Sequence, residues 1–538
     1  MIEINLNKVK KSYGFNNILS EISFEVKTRE RVALIGANGC GKTTILKLIA
    51  GIESVDDGTI SIRKDATIGV LTQLPTYNNE RVRDVLYRGI EQQLMLKEKL
   101  IAYEEKMSQD IGNLNKIISA YTRLQDEFIR VGGYELDSKI GKTMDIFNIN
   151  HEMLDRPMIN LSGGEKTIVN LASIILSEPD ILLLDEPTNY LDIEKIEWLE
   201  EFLNQYKGTV LVVSHDRYFL DRVSTKTVLI EREQAEIFNG NYSYFLEENE
   251  NRIMIEFANY KNQQKQIEAI KATIKKLREW GKIGDNEKFF KRANSMEKRL
   301  ERMEMSDKPL TKKDIPLDFD LVDRSGKDVI RANSLTIEFN NRVIFDLADF
   351  EIRYGERVCI VGPNGSGKTT LIKEIINNSP NIKIGANVTI GYISQELQFE
   401  NENMTVLEEA KKHFNGIEQH LRASLCKFLF YDDNVFKKIK FLSGGEKIRL
   451  KLFCLIQKNY NLLLFDEPTN HIDIDTKEIL ESSLQKFKGT ILFISHDRYF
   501  INKLASKIAS IENNKIITYL GNYDDYREHK SKLFTKGF

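Results

Sequence analysis

The chain has 538 residues, of which 41% are hydrophobic and 29% charged, a composition typical of a globular protein with several domains. Its net charge of −3 excludes a uniformly basic nucleic-acid-binding protein, so any such surface must be local. The four cysteines are widely spaced without a C-x-x-C pair, which argues against a disulfide framework and a structural zinc site. No apolar run reaches the roughly 18 residues that span a bilayer, and the first residues lack an apolar signal segment. We therefore expect a cytoplasmic protein without a membrane segment.

The sequence is duplicated. The motifs LSGGEK, DEPTN and SHDRYF all recur at one common offset, the one that separates Leu161 from Leu442. A glycine-rich loop recurs at the larger offset from Gly36 to Gly362. The difference places a surplus in the first copy, around 84–133, where the apolar spacing predicts helices. This insertion is either an ordinary helical subdomain or a docking arm.

The two copies set the predicted domain boundaries. We predict an α/β first domain at 1–246, which contains the helical insertion, and an α/β second domain at 314–538. The segment between them, 247–313, resembles neither copy and is predicted to be a helical linker.

Each copy has a loop of the form G-x-x-x-x-G-K-[ST] between a predicted strand and an apolar helix. This is the context of a P-loop, in which backbone N–H groups and a helix N-terminus bind phosphates. We expect the loop lysines to reach the β- and γ-phosphates of a nucleotide, and the threonines that follow them to supply a hydroxyl to Mg²⁺. The predicted loop residues are Gly36, Asn38, Gly39, Gly41, Lys42, Thr43 and Thr44 in the first copy and Gly362, Asn364, Gly365, Gly367, Lys368, Thr369 and Thr370 in the second.

Further along each copy, an apolar predicted strand ends in a pair of carboxylates, Asp185-Glu186 in the first and Asp466-Glu467 in the second. The aspartates can hold Mg²⁺, and the glutamates can polarise the water that attacks the γ-phosphate. Adjacent acids after a strand could instead cap a helix. The equal distance of both pairs from LSGGE favours the catalytic interpretation.

A histidine follows the glutamate at the same distance in each copy, His215 in the first and His496 in the second. The matched spacing favours a γ-phosphate sensor over a capping or core histidine. Gln73 and Gln395 each close a strand-like stretch. They are candidates to contact Mg²⁺ and the attacking water, or they are exposed strand ends.

An aromatic residue precedes each glycine loop at the same distance along the chain, Tyr13 before Gly36 and Phe339 before Gly362. Either ring could stack on adenine or pack into the core beside a strand. The matched spacing favours stacking on the base.

Between the copies, the apolar spacing predicts two amphipathic helices with a break at 280–286. The stretch 261–302 has 13 Lys/Arg and 6 Asp/Glu, a local positive excess in a chain of negative net charge. It is either a solvated hairpin with its own apolar seam or a surface that meets RNA phosphates. The residues that we predict to contact RNA flank the break and are Lys282, Lys288, Lys291 and Arg292.

The ordered set of P-loop, Gln, LSGGE, strand-Asp-Glu and His resembles the ATP-binding cassette (ABC) ATPases. The resemblance implies an α/β fold of two tandem ABC-type P-loop ATPase domains that close head to tail on ATP. The LSGGE of one copy would then cap the ATP held by the P-loop of the other, which gives two composite sites. Ser162, Gly163 and Gly164 would complete the site of Lys368, and Ser443, Gly444 and Gly445 the site of Lys42.

Twin cassettes without a membrane segment, DEPTN and SHDRYF in both halves, and a charged helical linker resemble the ABC-F subfamily. The resemblance implies an ATPase that uses ATP and Mg²⁺ and binds the 70S ribosome at the exit site, near 23S rRNA and P-site tRNA. It also implies a monomer with an intramolecular cassette dimer, and no DNA partner. The sequence departs from the pattern at Tyr190, where His is usual as at His471, and at Ile472, where Leu is usual.

Within this resemblance, the compact insertion and the extended linker favour the branch that protects the ribosome from antibiotics acting at the peptidyl-transferase centre. The alternative is a general ABC-F translation factor at the exit site. A less favoured interpretation is the ATPase subunit of a membrane transporter, against which the basic linker and the repeated DEPTN argue. A DNA-repair ATPase of the same superfamily would normally carry zinc-binding cysteine pairs, which the sequence lacks.

Overall fold

The computed structural model describes residues 1–71, 80–109, 114–284, 287–301, 324–339, 342–395, 397–414, 416–470 and 472–535. These residues form two compact units, of which one comprises 1–241 and 324–535 and the other 242–301. The first unit holds two α/β domains of the same architecture. We call them cassette 1 (1–241) and cassette 2 (324–535).

Cassette 1 combines a large, mostly parallel sheet with a small antiparallel one. Its strands are β1 (Ile2–Tyr13), β2 (Asn16–Lys27), β3 (Arg31–Ile35), β4 (Asp57–Ile62), β5 (Ile68–Leu71), β6 (Ile181–Asp185), β7 (Thr209–Val213), β8 (Lys226–Glu231) and β9 (Gln234–Phe238). Its helices are α1 (Lys42–Ile49), α2 (Val82–Leu86), α3 (Glu91–Gln109), α4 (Leu114–Arg130), α5 (Leu136–Phe147), α6 (His151–Leu154), α7 (Gly163–Ser177), α8 (Ile193–Gln205) and α9 (Arg217–Val223). The large sheet has the order β5-β6-β7-β3-β8-β9 and the small sheet the order β2-β1-β4.

The strands of the large sheet carry the site residues at one edge. Strands β5, β6, β7, β3 and β8 pair in parallel, and only the edge strand β9 is antiparallel. Strands β6 and β7 are buried at every residue, as their continuous apolar sequences predict for a sheet covered on both faces. Because parallel strands end at the same edge, the first P-loop, Asp185 and the loop of His215 all leave the sheet there.

Cassette 2 repeats this topology. Its strands are β10 (Asp328–Phe339), β11 (Arg342–Arg353), β12 (Arg357–Val361), β13 (Ile382–Ile384), β14 (Ile390–Ile393), β15 (Leu462–Asp466), β16 (Thr490–Ile494), β17 (Lys507–Glu512) and β18 (Lys515–Leu520). The helices after the linker are α12 (Lys368–Ile376), α13 (Val406–Lys411), α14 (Glu418–Cys426), α15 (Gly444–Ile456), α16 (Ile474–Lys486), α17 (Arg498–Leu504) and α18 (Tyr523–Thr535). The large sheet has the order β14-β15-β16-β12-β17-β18 and the small sheet the order β11-β10-β13.

The core of each cassette lies between its two sheets and the helix that follows its P-loop. In cassette 1, Ile4 and Leu6 of β1, Leu34 of β3, Leu183 of β6 and Ile45 of α1 belong to one buried cluster. Cassette 2 has an equivalent cluster from β10, β12, β15 and α12. This packing against two sheets fixes where each P-loop begins.

Helices α3 and α4 lie in the segment in which cassette 1 exceeds cassette 2. They pack together through Leu96, Leu100 and Phe128, and the Tyr121 hydroxyl donates to Glu104 Oε1 at 2.7 Å. The α3–α4 pair therefore has an apolar contact of its own.

The second compact unit is a helical hairpin. Helix α10 runs over Tyr242–Gly284 and α11 over Glu287–Glu301. Their seam holds Ile274, Leu277 and Ala293, and Trp280 meets Phe289 edge to face at 6.1 Å between ring centroids. Residues 280–284 of the predicted break 280–286 belong to α10, and this contact packs its last turns against α11. Residues 302–323, which include the end of the predicted linker and the start of the predicted second domain, lie outside the described part.

Helix α10 has 43 residues and is therefore about 65 Å long at the rise of an α-helix. Its length alone would suffice to cross a bilayer, but its mean hydropathy is too low. None of the helices in the described ranges is both long and apolar enough to cross a membrane.

Candidate nucleotide-binding and catalytic sites

The first P-loop folds into a cradle that only glycine permits. Gly41 has φ +101°, and a Cβ added there would lie 2.6 Å from Leu19 Cδ2. Lys42 is buried, and its ammonium donates to the backbone carbonyls of Gly36 at 2.7 Å and Ala37 at 3.0 Å. These bonds hold the lysine along the loop, where a bound phosphate would compete for it.

The second P-loop repeats this geometry closely. Lys368 donates to the carbonyls of Gly362 at 2.8 Å and Pro363 at 3.0 Å. Gly367 has φ +95°, and a Cβ there would lie 2.3 Å from Ile344 Cγ2. Both loops open an N-terminal helix turn, so both present free backbone N–H groups to an anion.

A threonine hydroxyl and an aspartate meet beside each loop lysine. Thr43 donates to Asp185 Oδ2 at 2.8 Å, and Thr369 donates to Asp466 Oδ1 at 3.2 Å. Burial raises the pKa of both aspartates, and the threonine hydrogen bonds oppose it. Asp185 Oδ1 is buried without a hydrogen-bond partner among the described residues. A threonine hydroxyl and a carboxylate, which at Asp185 keeps one buried oxygen without a partner, are the hard oxygen ligands that suit Mg²⁺.

The two predicted glutamine ligands differ in what can be said of them. Gln73 lies outside the described residues. Gln395 is exposed two residues beyond β14, whose parallel partner β15 ends at Asp466. It therefore leaves the sheet at the edge that carries the second site, and its role as a magnesium contact stays a prediction.

Each candidate base is held next to its histidine. His215 N–H donates to Glu186 Oε2 at 3.3 Å, and His215 Nε2 lies 3.4 Å from Oε1. In the second site His496 Nε2 lies 3.2 Å from Glu467 Oε1. Glu186 and Glu467 both adopt the left-handed backbone conformation, with φ +51° and +49°. Strain of this kind in a non-glycine residue is common at functional sites.

The surroundings favour the neutral form of both the glutamate and the histidine of each pair. Burial, followed by the neighbouring Asp185, raises the pKa of Glu186 to about 8, and burial raises the pKa of Glu467 to about 7. Burial, followed by the positive charge of a loop lysine, lowers the pKa of both His215 and His496 to about 3. The histidines are therefore neutral at physiological pH and act as hydrogen-bonding groups rather than as cations.

The first P-loop faces a cavity of about 450 Å³ that residues of both cassettes line. Asn38, Lys42 and Glu186 come from cassette 1, and Asn470 and Lys477 from cassette 2. Tyr13 also lines the cavity, with its hydroxyl on Glu53 and its ring half exposed. Its ring is accessible to a base, whereas the side chain of Phe339, at the end of β10, is outside the described part.

The LSGGE serines begin helices α7 and α15. The side chains of Ser162 and Ser443 each accept a hydrogen bond from the backbone N–H of the glutamate three residues later. The carboxylate of that glutamate accepts in turn from the backbone N–H of the serine, so the two bonds form a capping box. A Cβ on Gly164 would lie 3.1 Å from Tyr190 Cβ. Helix α7, the signature helix that begins at the LSGGE motif of cassette 1, therefore packs on Tyr190, the residue after the DEPTN motif of the same cassette.

That DEPTN segment reaches the P-loop of the other cassette. The Asn364 side-chain amide donates to the Tyr190 carbonyl at 2.9 Å, and Asn364 N–H donates to Asp192 Oδ2 at 3.3 Å. Because the contact uses the Tyr190 backbone, the unusual residue type there leaves it intact. Ile472 is buried in cassette 2, and His471 lies outside the described residues.

Sequence reasoning missed a pair of ionic contacts across the cassette interface. Arg217 of cassette 1 pairs with Glu481 of cassette 2, and Arg498 of cassette 2 pairs with Glu200 of cassette 1. All four side chains are buried. The two arginines, and likewise the two glutamates, are separated by the same offset as the repeated motifs, so this offset was the available signal.

Each arginine also stacks on a tyrosine of the opposite cassette. Arg217 lies 3.8 Å from the Tyr499 ring centroid, and Arg498 lies 4.3 Å from that of Tyr218. These are distances at which a cation–π interaction is favourable. We call these two arginines, two glutamates and two tyrosines the interface clasp.

The predicted RNA-contacting residues lie in the second compact unit. Lys282, Lys288, Lys291 and Arg292 are all exposed on the hairpin. Lys291 pairs with Glu287 at 3.1 Å, a contact between exposed side chains that a phosphate could replace. Trp280, beside them, is 55% exposed.

Two phosphate cradles, each with a carboxylate pair and a histidine, define a P-loop ATPase with two cassettes in one chain. The profile of the ABC transporter family matches residues 19–189 and 345–470, and a second ABC transporter profile matches 228–319. The chain is 33% identical to ABC transporter F family member 5 of Arabidopsis thaliana, over 99% of this chain and 78% of that protein. The chain belongs to the ABC-F family of ATP-binding cassette ATPases, and its cassettes bind and hydrolyse ATP.

Other relatives also align with nearly the whole of this chain. The chain is 38% identical to the protein YdiF of Bacillus subtilis (strain 168), over 99% of this chain and 83% of that protein. It is 31% identical to the energy-dependent translational throttle protein EttA of Mycobacterium tuberculosis (strain ATCC 25618 / H37Rv), over 98% and 95%. A solved structure of RNase-L Inhibitor matches with a TM-score of 0.63 at 18% identity, covering 98% of this chain and 93% of that one. This last likeness concerns the fold alone.

Proposed function

We propose that this chain is a ribosome-binding ATPase that acts in translation and whose two cassettes close on ATP and reopen after hydrolysis. The observation that carries the proposal is the contact of Asn364 in one P-loop with Tyr190 and Asp192 of the other cassette. Cassette 1 thereby contributes to the surroundings of the nucleotide site of cassette 2, and residues of cassette 2 line the cavity at the first P-loop. The translational role is supported by relatives named energy-dependent translational throttle proteins.

At each site the chain's own residues divide the work. The P-loop N–H groups and the loop lysine bind the phosphates and stabilise the charge that develops on the γ-phosphoryl group. Glu186 and Glu467 orient the attacking water in line with the bond that breaks. His215 and His496, being neutral, hold that glutamate and contact the γ-phosphate by hydrogen bonds.

Thr43 and Asp185 would hold Mg²⁺ at the first site, and Thr369 and Asp466 at the second. Bound there, Mg²⁺ neutralises phosphate charge. Its positive charge also favours the ionised form of the adjacent glutamate.

The signature segments are proposed to complete the opposite sites. Ser162, Gly163 and Gly164 would present the N-terminus of α7 to the nucleotide on Lys368, and Ser443, Gly444 and Gly445 that of α15 to the nucleotide on Lys42. Each serine now bonds within its capping box. At the first segment the Ser162 hydroxyl would donate to a phosphate oxygen instead of to the Glu165 carboxylate. The Ser443 hydroxyl would donate to a phosphate oxygen while it still accepts from the Glu446 N–H.

The linker hairpin is the proposed ribosomal contact. Its exposed basic residues would neutralise phosphates of 23S rRNA or of a P-site tRNA at the exit site, and Trp280 would stack on a base. The chain would work in the cytoplasm as a monomer whose two cassettes form the dimer. The domain boundaries 1–246, 247–313 and 314–538 belong to this proposal.

The finer proposal is protection of the ribosome from antibiotics at the peptidyl-transferase centre. It is tested by co-sedimentation of the Glu186→Gln, Glu467→Gln double variant with 70S ribosomes and ATP, with and without lincomycin or tiamulin. Wild-type protein is added to drug-inhibited translation in parallel. Binding with rescue supports protection. Binding without rescue contradicts it and leaves the general translation factor.

The same experiment tests the ribosomal role itself. Alanine at Lys282, Lys288, Lys291 and Arg292 should abolish co-sedimentation. A matched control removes the same charge from exposed basic residues of the cassettes, namely Lys64, Lys207, Arg232 and Lys515. Absence of ribosome binding by the double variant would contradict the proposal and favour a transporter subunit.

A further inference from the structure

One lysine of cassette 2 is bonded to the histidine segment of cassette 1. Lys477 lies in the first turn of α16 and is 5% exposed. Its ammonium donates to the backbone carbonyl of His215 at 2.9 Å and to Asp497 Oδ2 at 2.7 Å. Lys477 therefore links the backbone of His215 to Asp497, the residue that follows His496.

The bond acts on a peptide whose position matters for the first site. His215 donates its backbone N–H to Glu186 Oε2 and places its ring Nε2 3.0 Å from Asn38 Oδ1 in the P-loop. His215 thus spans the distance between base and phosphate cradle. A fixed carbonyl on this residue restricts both contacts, because N–H, carbonyl and ring belong to one short loop after β7.

Among the residues that the structure describes, the second site has no equivalent arrangement at the matching position. The repeat offset aligns Lys477 with Ile196, whose side chain has no hydrogen-bonding group. The neighbouring Lys195 instead bonds Asp192 of its own cassette at 3.0 Å, and Asp192 accepts from Asn364 of the second P-loop. Asp192 and Lys195 also lie close enough to His496 for their charges to act on its pKa. Among the hydrogen bonds of the described residues, however, cassette 1 bonds to the P-loop of the other cassette, whereas Lys477 of cassette 2 bonds to the backbone of the histidine.

We propose that Lys477 is a positioning residue for hydrolysis at the site of Lys42, and that hydrolysis at the site of Lys368 does not depend on the equivalent position, Ile196. The proposal rests on the roles proposed above for Glu186 and His215. It makes the two ATP sites functionally unequal: opening of the interface withdraws the support of His215 at one site only.

The test measures each site alone. In a Glu467→Gln background, ATP turnover reports on the Lys42 site, and in a Glu186→Gln background it reports on the Lys368 site. Lys477→Met should lower kcat at the Lys42 site about tenfold, since misplaced catalytic groups cost factors of this size, with KM for ATP changed by less than about twofold. Turnover at the Lys368 site should stay within about twofold of its own background.

Loss of Lys477 also leaves the buried Asp497 carboxylate without its lysine partner, so two further variants separate positioning from misfolding. The Lys477→Met, Asp497→Asn double variant removes that charge as well and should retain the loss at the Lys42 site. Asp497→Asn alone keeps the bond to His215 and should leave that site within about threefold of its background. Lys477→Arg should restore part of the rate.

Other outcomes overturn the proposal. Equal losses at both sites would assign Lys477 a purely structural role, and no loss in the double variant would leave it no role. A rise in KM at unchanged kcat would mean that Lys477 contacts the nucleotide directly. Retention of turnover when both glutamates are Gln would instead contradict the proposed catalytic residues, before Lys477 is assayed.

Discussion

The two cassettes have nearly the same internal structure, but the hydrogen bonds at the interface between them differ from one nucleotide site to the other. Their sheet orders are the same, and the loop lysines donate to equivalent carbonyls at 2.7 and 2.8 Å. Across the interface, however, Asn364 donates to Tyr190 and Asp192, whereas Asn38 meets His215 of its own cassette. The duplicated sequence thus preserves the chemistry of each site, whereas the hydrogen bonds that join the cassettes at the two sites differ among the residues that the structure describes.

The interface clasp is the symmetric part of that junction. Each buried arginine has a buried carboxylate and an aromatic ring from the opposite cassette, and a further cation supports each glutamate: Arg222 at Glu200 and Lys503 at Glu481, at 3.2 and 3.0 Å. The interface clasp therefore joins the two cassettes by the same contacts on both sides, whereas the contacts at the two nucleotide sites are unequal. The predictions that follow probe these symmetric and unequal parts in turn.

The largest effect is expected at the clasp. Arg498→Ala leaves the buried carboxylate of Glu200 with the partly exposed Arg222 as its remaining cation, and it should destabilise the cassette pair by about 3–5 kcal/mol. Arg217→Ala should cost nearly as much, because Glu481 is equally buried. Thermal unfolding of both variants measures this. Combining Arg498→Met with Glu200→Met should recover most of the loss, and a failure to recover would mean that the arginine acts mainly through Tyr218.

Removal of both candidate bases should come next. Glu186→Gln with Glu467→Gln should lower steady-state ATP turnover at least about a hundredfold, within the range for a general base. ATP binding should persist, so the variant should accumulate in the ATP-closed form. Each single variant should retain turnover at the other site. Wild-type turnover in the double variant would exclude both glutamates as bases.

The P-loop glycines test whether the two cradles are equivalent. Alanine at Gly41 or at Gly367 would adopt a left-handed φ and lie within 2.6 Å of a side chain. ATP affinity at the altered site should fall about tenfold or more, since strain of this size costs about 1–3 kcal/mol. Titration with a fluorescent ATP analogue should show one weakened site and one unchanged site in each variant. Gly39→Ala is a useful comparison, because it has a positive φ but open space for the Cβ.

The smallest effect is expected at Tyr190. Tyr190→His introduces the residue found at the equivalent position of cassette 2. Because Asn364 bonds the Tyr190 carbonyl, ATP turnover should change by less than about twofold and stability by less than about 0.5 kcal/mol. Turnover and thermal unfolding are compared with those of the wild type. A large change would show that the tyrosine ring, which packs on Gly164, positions the signature helix.

The local features were accessible from the sequence because their causes are local. The glycines of each P-loop are required by backbone conformation, and the apolar runs of β6 and β15 by burial on both faces of a parallel sheet. The repeat offset aligned Glu186 with Glu467 and His215 with His496, and each pair occupies equivalent places in the structure. The linker helices followed from their apolar spacing, although α10 extends into the predicted break, as far as Gly284.

What the tertiary structure decided lies between segments far apart in the chain. Lys477 and His215 are 262 residues apart, and Arg498 and Glu200 are 298 apart. No sequence period links a lysine on a helix to a carbonyl in the other cassette, so only packing of the folded domains could bring them together. The sequence by itself determined two ATP-binding cassettes and their chemistry. Among the described residues, the meeting of the cassettes decided that Lys477 bonds to the histidine segment of one site and that Asn364 bonds the opposite cassette at the P-loop of the other. Burial at the interface forces each polar group to bond whichever partner lies within reach.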